Sequence, residues 1–460
     1  MKISEIIKNC GVVGAGGAGF PTHVKLKAKA DTVIVNGAEC EPLLASDKYL
    51  METESDKIVR GLEYIMEACE AKKGFIALKE KYSLPLRSIS TTTREKDDID
   101  IFPLEDFYPA GDEYILVNEV TGRIVPEGGI PPQVGCVVDN IETVVNIFEA
   151  VQSNKPVTKR FLTCAGEVVR PSVIKAHIGT PINEIIELCG GATVDDFVVV
   201  IGGPLMGTVE TDLATPVDKT MSGIIVLPRT HEVVKKKTIP FEFIIKQSKS
   251  VCCQCTLCTE LCPRHLLGHG LQPHMIMRQI SYGIDVPSKT IENAFLCSGC
   301  GLCEIYGCVM DLSPNIINTK IKEKFILEKF KPQFPEKEIA VNEMRDYRKI
   351  PTARIVERLR LSKYESGYGS GYGSGYESGY ESGYESDTLR RGIETNPGRV
   401  EILLKQHTGE QSFPVVKVGD KVSAGSLIAD VPDDALGAKV HSSVDGRVSL
   451  IDEERIIIEK

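Results

Sequence analysis

No run of roughly 18 apolar residues occurs in the chain, so no membrane-crossing helix is expected. The amino terminus, MKISEIIKNC, has no long apolar core and does not read as a secretory signal. An excess of positive charge is also missing: 54 Lys and Arg face 64 Asp and Glu, a net charge of −10. Nucleic acid and anionic membrane both need a basic face, so neither is expected as a main partner. No Ser-His-Asp arrangement emerges from the motifs, and no catalytic side chain is nominated. These absences point to a cytoplasmic chain whose chemistry is carried by bound groups.

Cysteine, by contrast, is abundant. There are 15, and nine lie between Cys252 and Cys308. A disulfide framework would be short, secreted and usually even-numbered, so clustered cysteines in this chain point to metal. At 460 residues the chain exceeds one core, and three or four domains are expected. Apolar residues make up 42%, enough for sizeable cores.

Residues 1–150 alternate helical and strand patterns. ISEIIKNC (3–10) has helical spacing, DTVIVN (31–36) is a β-branched strand, 55–71 an amphipathic helix and GFIALK (74–79) a buried strand, which together imply an α/β sheet. Residues 157–230 read as a small α+β module, 250–320 as the cysteine block, and 321–362 as a charged helical segment. The stretch 363–390 repeats Gly, Ser, Tyr and Glu with no aliphatic residue inside the repeat. It reads as a flexible linker, with a tyrosine-mediated contact role as the alternative. Residues 395–460 break into short strands, a small all-β barrel or sandwich.

Cys252-x2-Cys255-x2-Cys258-x3-Cys262-Pro263 has the spacing of a bacterial ferredoxin run. Three closely spaced cysteines wrap one face of a [4Fe–4S] cluster, and the fourth typically ligates the other cluster. Zinc would need no third close cysteine. The second run, Cys297-x2-Cys300-x2-Cys303-x4-Cys308, has one extra residue, and Val309 replaces the proline. The expected ligation is crossed: Cys252, Cys255, Cys258 and Cys308 on one cluster, Cys297, Cys300, Cys303 and Cys262 on the other. Cys253 and the six scattered cysteines are read as non-ligands.

The run GVVGAGGAGFPTHVK (11–25) follows a helical pattern, whereas a dinucleotide fingerprint should follow a strand. Bare glycine amides can still approach a phosphate, with Lys25 nearby; a flexible turn is the plain alternative. Downstream, NGAECEP (36–42) offers Asn36 to a planar heterocycle. Glu39 and Glu41 would repel a phosphate, so they suit the ring or ribose end of a ligand, or are surface carboxylates.

These stretches, with Asp47, YPAGDEYILVNEVTGR and DNIET, resemble the flavin subunit of respiratory complex I and the C subunit of the Rnf complex. The resemblance implies a Rossmann-like domain binding FMN and docking NADH. It places Gly14, Gly16, Gly17, Gly19, Lys25, Asn36, Asp47, Glu119, Asn140 and Thr143 at or beside flavin contacts. Phe20 falls where an aromatic stacks on NADH, and Glu41 where a carboxylate meets the nucleotide. Asp139 replaces an asparagine of the pattern. IGTPINEII and IGGPLMG resemble the ubiquitin-like SLBB domain.

The likeness extends over nearly the whole chain to one branch, the cobalamin reductases of propanediol-utilisation microcompartments. YPAGDE, GGATVDD, LCPRHLLGH, MRDYRKIPTARIVERLRLS and ADVPDDALGAKVHSSVDGRV carry it. That branch implies FMN, two [4Fe–4S] clusters, NADH as donor and reduction of cob(III)alamin towards cob(I)alamin. It also implies an adenosyltransferase and a microcompartment shell protein as partners, inside or on the compartment. The alternatives are a relay passing electrons to another reductase or ferredoxin, and a scaffold without NADH activity of its own. The cobalamin motif D-x-H-x-x-G is absent. In the nearest string, PRHLLG (263–268), Pro263 replaces the aspartate, and His265 is read as structural. The terminal strands resemble a lipoyl/biotinyl barrel-sandwich, but Lys439 is offset from the hairpin tip of a true carrier.

Overall fold

The computed structural model describes residues 2–283, 288–334, 337–365 and 392–460. The repeat at 366–390 lies outside the described residues. Among them the fold is multidomain, and the chain forms two compact units. One comprises Met1–Leu104, Gly135–Arg229 and Lys363–Lys460; the other Glu105–Val134 and Thr230–Ser362.

The first unit opens with helix α1 (Ile3–Asn9). It then builds a parallel sheet from β1 (Thr32–Gly37), β2 (Lys73–Lys79), β3 (Ile99–Leu104) and β4 (Cys136–Asn140), in the order β3-β2-β1-β4. Helices α2 (Ser46–Thr53), α3 (Ser55–Cys69), α4 (Ser83–Thr93) and α5 (Ile141–Ser153) connect or follow the strands. β1 is buried through Val33, Ile34 and Val35, as a covered parallel strand requires. In α3 the buried residues Ile58, Leu62, Ile65 and Cys69 recur at helical spacing. Burying each large aliphatic contributes about 1.5–3 kcal/mol.

Helices α3 and α5 approach closely at Gly61, where an added Cβ would stand 2.4 Å from the Val144 carbonyl oxygen. Gly61→Ala should gain about 1 kcal/mol of helix propensity but lose about 1–3 kcal/mol to overpacking against that backbone. Net destabilisation is expected in urea unfolding; a stabilised variant would show that the helices part easily.

The α+β module of the same unit is a six-stranded sheet around the helix Ile182–Leu188, with Lys159–Gly166 and Gly223–Pro228 pairing in parallel at its centre. The carboxy-terminal strands form two small sheets. One holds Arg399–Leu403, Arg455–Glu459, Gly446–Ile451 and Lys421–Val422; the other holds Phe413–Pro414, Leu427–Asp430 and Val440–His441.

The second unit is mainly short helices, with a two-stranded pairing of Phe107–Tyr108 and Ile350–Pro351. Residues 105–134 lie inside the stretch 1–150 read as one domain, yet they pack with the cysteine block. The helical expectation for 321–362 needs correction. Helix Pro314–Leu327 ends at a left-handed Lys329, and the next full helix is Thr352–Arg358. Pro332 removes a backbone donor there and cannot continue a helix.

Candidate cofactor sites

β1 and β4 are neighbours at the point where the strand order reverses, and Asn36 pairs in register with Asn140. Ligands of open parallel sheets gather beyond the carboxyl ends of strands at such a point. The glycine run reaches this place as a loop closed by a Val13–Pro21 bridge, in which the Gly14 amide donates to the Phe20 carbonyl (2.9 Å). The Ala15 amide donates to Thr143 Oγ1 at 2.8 Å, tying the loop to the first turn of α5. Gly16 and Gly17 are exposed. At Gly17, φ is 99° and open space stands where a Cβ would be, so only glycine takes this backbone without strain. The Cβ position of Gly16 lies 3.6 Å from that of Asn140. A bare, exposed loop of this kind fits a phosphate ester such as that of FMN.

Asn140 caps α5 by accepting from the Glu142 amide at 2.9 Å, and its Nδ2 donates to Asp47 Oδ2 at 2.8 Å. Burial, then the neighbouring Glu39, pushes the Asp47 carboxyl well above the usual range. Glu39 itself accepts from the amides of Asp47 (2.9 Å) and Lys48 (3.2 Å), and so caps α2. Lys25 donates to the Val138 carbonyl at 2.6 Å and lies 3.4 Å from Asp139, whose carboxyl is raised by burial. Asn36 accepts from the Ala38 amide at 3.2 Å. Phe20 is half-buried and Gly19 buried with φ 62°.

Glu41 takes a place the sequence does not suggest. Its carboxylate accepts from the amides of Leu205 and Met206, each at 2.9 Å, in the turn of the α+β module. A side chain at Gly203 would occupy the space of that carboxylate, which explains a glycine there. Glu119 lies in the second unit, in ion pairs with Arg345 and Lys349.

Three first-unit residues escape sequence reading. Arg160 is buried, pairs with buried Glu142, and donates to the carbonyls of Ala15 (2.7 Å) and Met221 (2.8 Å). Lys219 is buried and donates to the carbonyls of Gly11 and Lys439, both at 2.8 Å; burial brings its amine down to about 7. Thr408 donates from its amide to Gly19 (2.9 Å) and from Oγ1 to Ala18 (2.7 Å), bracing the glycine loop from the barrel. Lys439 pairs with Asp430 at 3.2 Å.

In the second unit the cysteines surround two cavities. One, partly open to solvent, has Cys252, Cys255, Cys258 and Cys308 in its wall. The other has Cys262, Cys297, Cys300 and Cys303. Cys255 is exposed, whereas Cys262, Cys300 and Cys303 are buried. Among the described residues no three His, Cys, Asp or Glu side chains are gathered to hold one metal ion. Four thiols spread around a volume fit a multi-iron cluster. Burial pushes the thiols of Cys258, Cys262 and Cys300 up to about 12, so they need a bound cation to ionise near neutral pH. Cys253 is exposed in the wall of the first cavity.

Four family models match. They are the Nuo51 FMN-binding domain over residues 7–149, the SLBB domain over 161–209, the 4Fe-4S dicluster domain over 251–313 and the RnfC barrel sandwich hybrid domain over 386–460. The chain is 40% identical to Cobalamin reductase PduS of Citrobacter freundii over 459 residues, 99% of this chain and 96% of that one. It is 39% identical, with the same coverage, to Cobalamin reductase PduS of Salmonella typhimurium. It is also 37% identical to the C component of the Na(+)-translocating ferredoxin:NAD(+) oxidoreductase complex of Acetobacterium woodii, over 269 residues, 57% of this chain and 58% of that one.

Proposed function

The chain belongs to the cobalamin reductase family represented by PduS, and on that premise we propose that it passes electrons from NADH to cobalamin, taking cob(III)alamin towards cob(I)alamin. The observation that carries this reading is that the eight cysteines of the two runs divide four and four between two cavities, in a chain that also holds a bare glycine loop at a sheet switch point. Bound FMN would supply the exchange between a hydride and single electrons, and two [4Fe–4S] clusters the one-electron path.

The protein's own residues hold and shape the sites. Gly16 and Gly17 leave room for the flavin phosphate, while Gly14 and Gly19 let the loop close on Phe20 and pack beside Thr220 and His407. Thr143 and Thr408 fix the loop, and Lys25 offsets the negative charge of Asp139. Asn36 and Asn140 stand at the ends of the two neighbouring strands, and Asn140 donates to Asp47, whose carboxyl burial raises above the usual range. Phe20 is suited to stack on the nicotinamide. Glu39 and Glu41 hold the surrounding backbone, and Glu119 falls on a flavin-family position while its carboxylate pairs with Arg345 and Lys349 in the second unit. Cys252, Cys255, Cys258 and Cys308 would hold one cluster and Cys262, Cys297, Cys300 and Cys303 the other. An adenosyltransferase would consume the cob(I)alamin, regenerating adenosylcobalamin, and a shell protein would tether the chain in the cytoplasmic microcompartment.

Anaerobic titration of the reconstituted protein with NADH, then hydroxocobalamin, tests the reading. Flavin bleaching followed by reduced-corrin absorbance at catalytic rates is expected. Bleaching without corrin reduction would point to another acceptor. No bleaching in a flavin-loaded sample would leave a relay or scaffold subunit.

A further inference from the structure

The two cysteine cavities differ in their walls. The open one contains no Arg or Lys. Its cysteines receive neutral donors: Gln254 Nε2 to Cys252 Sγ at 3.4 Å, and the Leu312 amide to Cys308 Sγ at 3.3 Å. The buried cavity contains Arg264, the residue after the Cys262-Pro263 step. Its guanidinium is held on two sides. Nη2 donates to Asp112 Oδ2 at 2.9 Å, and the plane lies 3.6 Å over the Tyr114 ring. Asp112 is itself fixed as a helix cap, its Oδ1 accepting from the amides of Tyr114 and Ile115.

Arg264 is only 8% exposed, yet its Nε and Nη1 have no hydrogen-bond partner. Two unmet donors on a buried cation are costly unless something in the adjoining cavity accepts them. Asn318, in the same wall and 1% exposed, also leaves its amide atoms unpartnered. Sulfur atoms of a cluster in that cavity are acceptors of the right kind.

We propose that Arg264 is a tuning residue, donating Nε–H and Nη1–H to the sulfurs of the iron–sulfur cluster in the buried cavity and raising its reduction potential selectively. The inference rests on the cluster reading above. Reduction adds one electron and one unit of negative charge to the cluster, with no proton required. Burial disfavours that added charge, whereas a fixed cation with two N–H groups stabilises it. Arg264 thus offsets the burial that would make this cluster harder to reduce than its open neighbour. Lysine cannot stack on Tyr114, pair with Asp112 and present two further donors at once.

The test is an EPR-monitored redox titration of the reconstituted full chain with dithionite and mediators. In Arg264→Gln, one of the two midpoints should move negative and the other stay fixed. Arg264→Lys should move the same midpoint less. Asp112→Asn keeps the helix cap but frees the Arg264 charge, so it should move that midpoint the opposite way. It decides alone if Arg264→Gln fails to assemble. Unchanged midpoints, two midpoints moving together, or a negative shift in Asp112→Asn would overturn the proposal. No NADH or cobalamin is used, so a chain inactive with both would sink the proposed function and leave this result standing.

Discussion

Cys262→Ser should remove the same cluster as Cys300→Ser, although Cys262 belongs to the other cysteine run. The cavities set this expectation: Cys262 shares a wall with Cys297, Cys300 and Cys303, not with its sequence neighbours Cys255 and Cys258. Each single variant should bind about four irons in place of about eight. The double variant Cys262→Ser/Cys300→Ser should still bind about four, whereas Cys262→Ser/Cys308→Ser should bind almost none, a non-additivity diagnostic of two shared sites. Electron flow to cobalamin should fall to background in all of them. Stability should drop as well, since Cys262 sits in the apolar core of its unit with Ile244, Leu271, Met277 and Leu296, and metal binding there is also folding energy. Iron and sulfide analysis with EPR checks the result. If Cys262→Ser spared the Cys300 cluster and removed the Cys252 cluster, the crossed arrangement would be wrong.

The same contrast shows what a sequence can and cannot disclose. Cysteine spacing is local geometry, because x2 separations bring three thiols close together. The spacing alone sets the expectation that the fourth crosses to the other group, an expectation matched by the cavity that Cys262 shares with Cys297, Cys300 and Cys303. The strand β1 is equally legible, since its β-branched run needs no partner to be recognised. Glu41 is legible in sequence only as a charge, because its place is set by two amides far along the chain, at Leu205 and Met206. Glu39 likewise reads as a ligand carboxylate until the helix it caps is seen. Arg160, Lys219 and Thr408 stand in no motif; each gains meaning from backbone carbonyls near the glycine loop. Residues 105–134 carry flavin-family motifs yet pack with the cysteine helices, and no local periodicity signals where an insertion docks. Local patterns thus disclose the ligand types and the strands, while the supporting shell depends on long-range pairing.

That shell is where the largest stability effect is expected. Arg160→Met leaves Glu142 buried without its cation and strips a donor from Ala15 and Met221. Removing one partner of a buried pair costs about 3–5 kcal/mol, mostly because the remaining charge is uncompensated. The pH dependence follows from Glu142. Burial already holds its carboxyl above the usual range, against the opposing pull of Arg160. A folded-state carboxyl that is raised binds more protons than the unfolded one, so its favourable contribution is present at low pH. It is lost as pH climbs above the unfolded value of about 4.3. Without Arg160 the carboxyl rises further and folds most easily when protonated. The stability gap between wild type and Arg160→Met should therefore be smaller at about pH 5 than at about pH 8 in urea titrations. Arg160→Met/Glu142→Leu should recover part of the loss at about pH 8, since the orphaned charge is gone. A gap that is equal or wider at the lower pH would mean that the lost carbonyl contacts, rather than the buried carboxylate, set the cost. Ala15 also ties to Thr143, so the flavin affinity of Arg160→Met should fall even under conditions where the chain stays folded.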